Sequence, residues 1–195
     1  MALISVGIDH EHASLDLLER ATVPEHEWAK MLRTLVSHRN IHEAVFVSTC
    51  LRTEVVAVID RFHGAIDEIT DTLAEATGLA PIEFEDRLTV NFEHDVAHHL
   101  FSVAAGLKSV VPGEFEILGQ LRRALDLAVE EHSAGNEVTD IFQRAIASGP
   151  VSYTHLDVYK RQPATWSMNA TLPTGPTSLN SRWTPSAPWR SRTPR

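Results

Sequence analysis

Six segments in the first 92 residues switch between the two hydrophobic periods of protein structure, and their order leaves few folds open. Residues 2–8, ALISVGI, are apolar without a break and read as a buried opening strand. Thr22, Val23, Pro24 and Glu25 then supply an N-cap, a first-turn proline and a capping-box acid. Behind them Trp28, Met31, Leu32 and Leu35 recur at i, i+3, i+4 and i+7, which is one core-facing helical stripe.

Residues 44–48 (AVFVS) and 54–59 (EVVAVI) read as two further strands joined by a turn over 49–53. A second amphipathic helix is predicted from Ala65 through Ile66, Ile69, Leu73 and Ala76, closing on Gly78, with a strand over 88–92 after it. The order βαββαβ is the ferredoxin-like split βαβ arrangement of the α+β class, an antiparallel sheet with two helices on one face. Further helices are predicted over 93–107 and 114–132. The second of these carries Ile117, Leu118, Leu121, Leu125 and Ala128 on one face, and a last segment follows over 137–147.

Charge divides the chain unevenly. From Val151 to Arg195 six basic residues face the single acid Asp157, a net of +5 that leaves −14 for the remainder of a chain whose total is −9. The same stretch holds six of the ten prolines and three of the four tryptophans without either hydrophobic period, which predicts an unstructured tail. We therefore place a domain at 1–148 and a non-native tail at 149–195, since residues 151–162 resemble the translated end of a sequencing adapter.

The opening apolar run is too short for a signal peptide and meets Asp9, His10 and Glu11 at once; no membrane-length apolar run appears. The single cysteine, Cys50, allows no internal disulfide and fits a reducing cytoplasm. An acidic body argues against nucleic acid as the main partner, so any nucleic acid needs a local basic patch such as Arg122 and Arg123.

Cys50 is the candidate nucleophile, because a turn at a strand end exposes a thiol and Arg52 stands two residues on. The alternative is a small buried hydrophobe. His99 borders the face of Val96, Leu100, Val103 and Leu107 while His94 and His98 point away, so it is either a core-edge imidazole or a catalytic one. His94 and His98 have metal-ligand spacing but no third ligand to match, and we expect no metal. Ser109 and Glu114 precede the long helix, as caps or as substrate contacts.

The segment Val47-Ser48-Thr49-Cys50-Leu51-Arg52-Thr53-Glu54-Val55 resembles the nucleophile motif of the glutamyl-tRNA reductases. A second block is similar to the same family in content and distance: His99-Leu100-Phe101, Val103 to Leu107, Ser109, Gly113-Glu114, and Ile117-Leu118-Gly119-Gln120. A third echo is Gly7-Ile8-Asp9-His10 with Ala13 and Glu19-Arg20, so the resemblance covers residues 1 to 148. The family more often shows Asn at positions 9 and 51, Asp at 108, and a substrate-holding Gln where Phe115-Glu116 stand.

The resemblance implies an enzyme that reduces glutamyl-tRNA with NADPH to glutamate-1-semialdehyde, on the 5-aminolevulinate route to tetrapyrroles and porphyrins. Cys50 and His99 are its implied catalytic residues. Thr49, Leu51, Arg52, Ser109, Glu114, Phe115, Glu116 and Gln120 are the implied substrate contacts, with Arg52 pairing the substrate carboxylate. No Gly-x-Gly-x-x-Gly follows a strand, so an NADPH site is not expected in these residues. The family implies dimers through a C-terminal helical region, and the next enzyme of the pathway as a partner; for this chain a monomer or weak association is expected. Two other classes fit a lone cysteine: an acidic interaction module with a structural thiol, and a thiol redox sensor.

Overall fold

The computed structural model describes the backbone of residues 1–110 and 116–160 and, except at 84, 85 and 150–160, their side chains. In chain order these form β1 (Ala2–Asp9), α1 (Leu15–Ala21), α2 (Glu25–Ser37), β2 (Ile41–Thr49), β3 (Arg52–Ile59) and α3 (Phe62–Thr77). There follow α4 (Pro81–Glu85), β4 (Thr89–Phe92), α5 (His94–Ala104), α6 (Glu116–Glu130) and α7 (Asn136–Lys160). The sheet runs β2-β3-β1-β4 with every neighbouring pair antiparallel, which is the split βαβ order expected from the pattern.

Every residue of β3 is buried, since the sheet is covered on both faces and its central strands need no polar side. One face takes Thr53, Val55, Ala57 and Ile59. Thr53 donates to the carbonyl of Ala21, at the end of α1, and Phe46 meets Trp28 of α2 edge-on at 5.6 Å on this face. The other face takes Arg52, Glu54, Val56 and Val58, and Glu54 meets His99 of α5 there. The β2 edge is also tied down: the Ala44 amide donates to the Ser133 carbonyl at 2.8 Å, and the Ser133 hydroxyl returns a bond to Ala44 at 3.0 Å.

The predicted stripe Trp28, Met31, Leu32 and Leu35 is buried. The cap proposed for it is not where the sequence placed it. Pro24 is the cap residue of α2 and lends no side-chain bond, while the Thr22 hydroxyl donates to the Leu18 carbonyl and closes α1 instead. Helix α1 itself went unread, because in seven residues it buries only Leu18 and Ala21 and shows no full stripe.

Helix α5 stops at Ala104, short of the predicted 107. Gly106 turns left-handed at φ 69° and the Leu107 amide reaches back to the Ser102 carbonyl at 3.0 Å, so Leu107 turns outward and is exposed. Helix α7 runs on past 148 to Lys160, so residues 151–160 have helical backbone where composition predicts an unstructured stretch. Gly149 is a close-packing residue, since a Cβ there would lie 2.5 Å from Leu118 and 2.9 Å from the Ala104 carbonyl. The tail expected over 161–195 lies outside the described residues.

Candidate active site

The cysteine sits at the tip of the shortest kind of hairpin. Thr49 pairs with Arg52, so only Cys50 and Leu51 form the loop, and the wider turn expected over 49–53 tightens to two residues. Three bonds hold this tip. The His10 amide donates to the Leu51 carbonyl at 3.1 Å, the Leu51 amide to the Thr49 hydroxyl at 3.2 Å, and the Thr22 hydroxyl reaches the Thr49 carbonyl at 3.4 Å. Cys50 is exposed, which removes the reading of its thiol as a buried hydrophobe.

Directly behind the tip lie buried charges. Arg52 is 2% exposed, and its Nη2 donates to the Lys108 carbonyl at 2.7 Å. Its Nη1 stands 3.8 Å from Glu54 Oε1, and both of these atoms are buried without a hydrogen-bond partner. The other oxygen of Glu54 meets His99 Nε2 at 2.7 Å. Burial alone raises the Glu54 carboxyl. The His99 hydrogen bond and the Arg52 and His99 charges outweigh it and hold the group below the usual carboxylate range. Gly7 faces Glu54 across β1 and β3, and a Cβ there would fall 2.5 Å from the Glu54 Cβ, so the bare backbone makes room for the cluster.

In front of the tip is a polar cleft lined by Thr49, Cys50, Leu51, Arg52, Lys108, Ser109, Glu116, Ile117 and Gln120. It gathers seven of the residues named from the sequence. Glu114 and Phe115 lie outside the described residues. His99 is not among the lining side chains: at 4% exposure it stands behind Arg52 and Glu54 rather than at the mouth.

Glu54, Lys108 and Asp9 belong to the site and were not singled out as functional. Glu54 was read as one letter of an apolar strand, although a charge in a buried strand needs a partner and was the signal to follow. Lys108 gives its carbonyl to Arg52 and its ammonium to Glu11 at 2.8 Å, and that hydrogen bond chiefly holds the Glu11 carboxyl below its usual range. Asp9 pairs in register with Arg52 and accepts from the Glu11 and His12 amides and from His12 Nδ1. Burial raises its carboxyl, and the His12 hydrogen bond and charge, with the Glu11 amide and Arg52, bring it net below the usual value.

Asp9, Glu11 and His12 place ligand atoms within 4.8 Å of one another, yet each is already engaged by His12, Lys108 or Asp9 respectively. His94 and His98, the spaced pair, are both exposed. The strand–turn–helix cradle of the doubly wound dinucleotide folds is not formed by the described residues. It needs a glycine-rich turn between a parallel strand and a helix, whereas this sheet is antiparallel and β1 passes to α1 through His10-Glu11-His12-Ala13-Ser14. Among the described residues no helix is long and apolar enough to cross a membrane.

Fold and site together define a ferredoxin-like α+β domain that presents one cysteine at the mouth of a polar cleft backed by a buried Arg–Glu–His cluster. Residues 6–154 match the family model described as glutamyl-tRNAGlu reductase, N-terminal domain. The glutamyl-tRNA reductase of Streptomyces avermitilis is 39% identical over 158 residues, 81% of this chain and 28% of that protein. That of Salinispora tropica is 39% identical over 158 residues, 81% of this chain and 35% of that protein. The solved glutamyl-tRNA reductase from Methanopyrus kandleri superposes with a TM-score of 0.62 at 31% identity, covering 78% of this chain and 34% of the other. The chain belongs to the glutamyl-tRNA reductase family and carries its N-terminal domain. It spans about a third of the length of the curated relatives it matches.

Proposed function

We propose that this domain is the acyl-transfer half of a glutamyl-tRNA reductase, in which Cys50 takes the glutamyl group from glutamyl-tRNA as a thioester. The observation that carries the reading is the gathering of an exposed thiol with Arg52, Lys108, Ser109, Glu116 and Gln120 around one cleft. The thiolate sulfur bonds to the ester carbonyl carbon and the bond from that carbon to the terminal ribose oxygen breaks. The thiol proton ends on that oxygen, freeing tRNA. Arg52 takes the side-chain carboxylate, Glu116 lies on the side for the α-ammonium, and Thr49, Ser109 and Gln120 supply hydrogen bonds while Leu51 borders the acyl chain.

His99 acts in this reading through Glu54, which holds the Arg52 guanidinium, and so is a positioning residue rather than a proton donor at the ester. When bound in the full-length enzyme NADPH supplies the hydride that turns the thioester into glutamate-1-semialdehyde, for tetrapyrrole synthesis; no step of that half is drawn through these residues. Dimerisation and contact with the next pathway enzyme belong to the longer proteins. We read the setting as the cytoplasm, and this chain as a monomer or weakly associated.

Incubating the chain with glutamyl-tRNA and measuring its intact mass tests this. A glutamyl adduct on Cys50, with no aldehyde released, is the expected result, and it is absent from Cys50→Ser. An unmodified wild-type chain whose Cys50 still reacts with iodoacetamide overturns the reading.

A further inference from the structure

A second hollow reaches Cys50 from the opposite side. Leu15, Glu19, Thr22, Pro24, Cys50 and Leu51 border it, so it shares only Cys50 and Leu51 with the polar cleft. The thiol therefore stands on a ridge between two unlike surfaces. The cleft carries Arg52, Lys108 and Glu116, whereas the groove is mostly apolar, has Glu19 as its one ionisable lining side chain apart from the thiol, and has no cation. Leu15 is 68% exposed there, a large apolar side chain with little of it covered.

The groove is preformed. The Val23 amide donates to the Ser48 hydroxyl at 3.0 Å, Trp28 Nε1 donates to the Val23 carbonyl at 2.8 Å, and the Thr22 hydroxyl closes α1 on Leu18 at 2.8 Å. These bonds fix the link between α1 and α2 against the end of β2, so the wall that carries Leu15 and Pro24 keeps its distance from Leu51.

We propose that this groove seats the 3′-terminal adenosine of the glutamyl-tRNA, the leaving side of the ester. The inference rests on the reading of Cys50 as acceptor of a glutamyl ester. A carbonyl carbon held at the sulfur with its acyl chain in the polar cleft must send its ester oxygen the other way, past Leu51 and over the groove. A purine base then lays an apolar face on Leu15, Leu51 and Pro24, as bases do on any apolar platform. The charge of the lining selects the terminal residue. A phosphate meets no cation and one carboxylate there, which disfavours it, while the final nucleoside carries its phosphate only on the 5′ side, directed away. Glu19 accepts from the adenine amino group or a ribose hydroxyl.

The test uses the 195-residue chain and two esters that share the glutamyl group: adenosine esterified at its 3′ oxygen by the α-carboxyl of glutamate, and glutamate 1-ethyl ester. Acylation of Cys50 is followed by intact mass, and each rate is divided by that ester's rate with a free small thiol to remove intrinsic reactivity. The wild-type chain is expected to favour the adenosine ester. Leu15→Asp, at an exposed position that leaves the fold intact by circular dichroism, is expected to lower the adenosine-ester rate about tenfold and leave the ethyl-ester rate unchanged. If both esters acylate Cys50 and Leu15→Asp leaves their ratio as it was, the groove does not hold the nucleoside and only this inference fails. If neither ester acylates the wild-type chain, the acyl-acceptor reading fails and takes this inference with it.

Discussion

Along β3, Thr53, Val55, Ala57 and Ile59 face α1 to α3 while Arg52, Glu54, Val56 and Val58 face α5 to α7, and the two sides bury different chemistry in one strand. The first side is closed by apolar packing around Phe46 and Trp28 and by one hydroxyl chain, Ser48 donating to Thr53 at 3.0 Å and Thr53 to the Ala21 carbonyl at 3.0 Å. The second side ends, next to the hairpin tip, in a guanidinium, a carboxylate and an imidazole that are nearly free of solvent. Buried charge of this kind adds little net stability, because desolvation cancels much of the attraction. Its place at the cleft end of that face is where the proposed acyl-acceptor site would need it.

That contrast is open to attack by mutation, with effects graded by how much each side depends on packing or on charge. Phe46→Ala on the apolar side is expected to cost about 3–5 kcal/mol, the cavity penalty for a fully buried ring. Urea denaturation at pH 7 and at pH 4 should return the same loss, with the Trp28 fluorescence reporting the lost ring contact.

Glu54→Gln on the charged side is expected to cost about 3 kcal/mol at pH 7, because Arg52 keeps its charge and loses its counter-ion. Here the sign with pH is distinct. A carboxyl held below its unfolded value contributes stability above about pH 4.3, and that contribution disappears as pH falls through the lower folded value. The difference between wild type and Glu54→Gln should therefore shrink in strongly acidic urea titrations; a pH-independent loss would show that the carboxylate is not ionised in the fold. Cys50→Ser marks the other limit. At an exposed tip it should move stability by less than about 0.5 kcal/mol while removing every trace of acyl adduct.

Much of the architecture was readable from residues 1–92, since strands and helices there announce themselves by local periods. The sheet order β2-β3-β1-β4 is that of the split βαβ arrangement which this succession of elements suggests. What was hidden depended on distance along the chain. Glu54 becomes a site residue only because α5, 45 positions later, brings His99 to the same side of the sheet. Lys108 enters through its backbone carbonyl, which no side-chain pattern advertises. His99 was correctly turned inward by helical period, but period carries no depth, and the structure sets it behind the cleft instead of within it. Gly149, placed at the head of the expected tail, is a contact point between α7 and its neighbours.

The two-residue hairpin tip carries a consequence for how sequences in this region can change. Strand side chains alternate sides, so adding or deleting a single residue between Thr49 and Arg52 would invert which members of β3 look toward His99. Arg52 and Glu54 would then be driven among Leu18, Ala21 and Trp28, and the valines would replace them under the cysteine. The cysteine thus acts as a frame marker for the whole strand behind it. Drift at this corner is confined to substitutions, since any odd change of length scrambles the wiring at once.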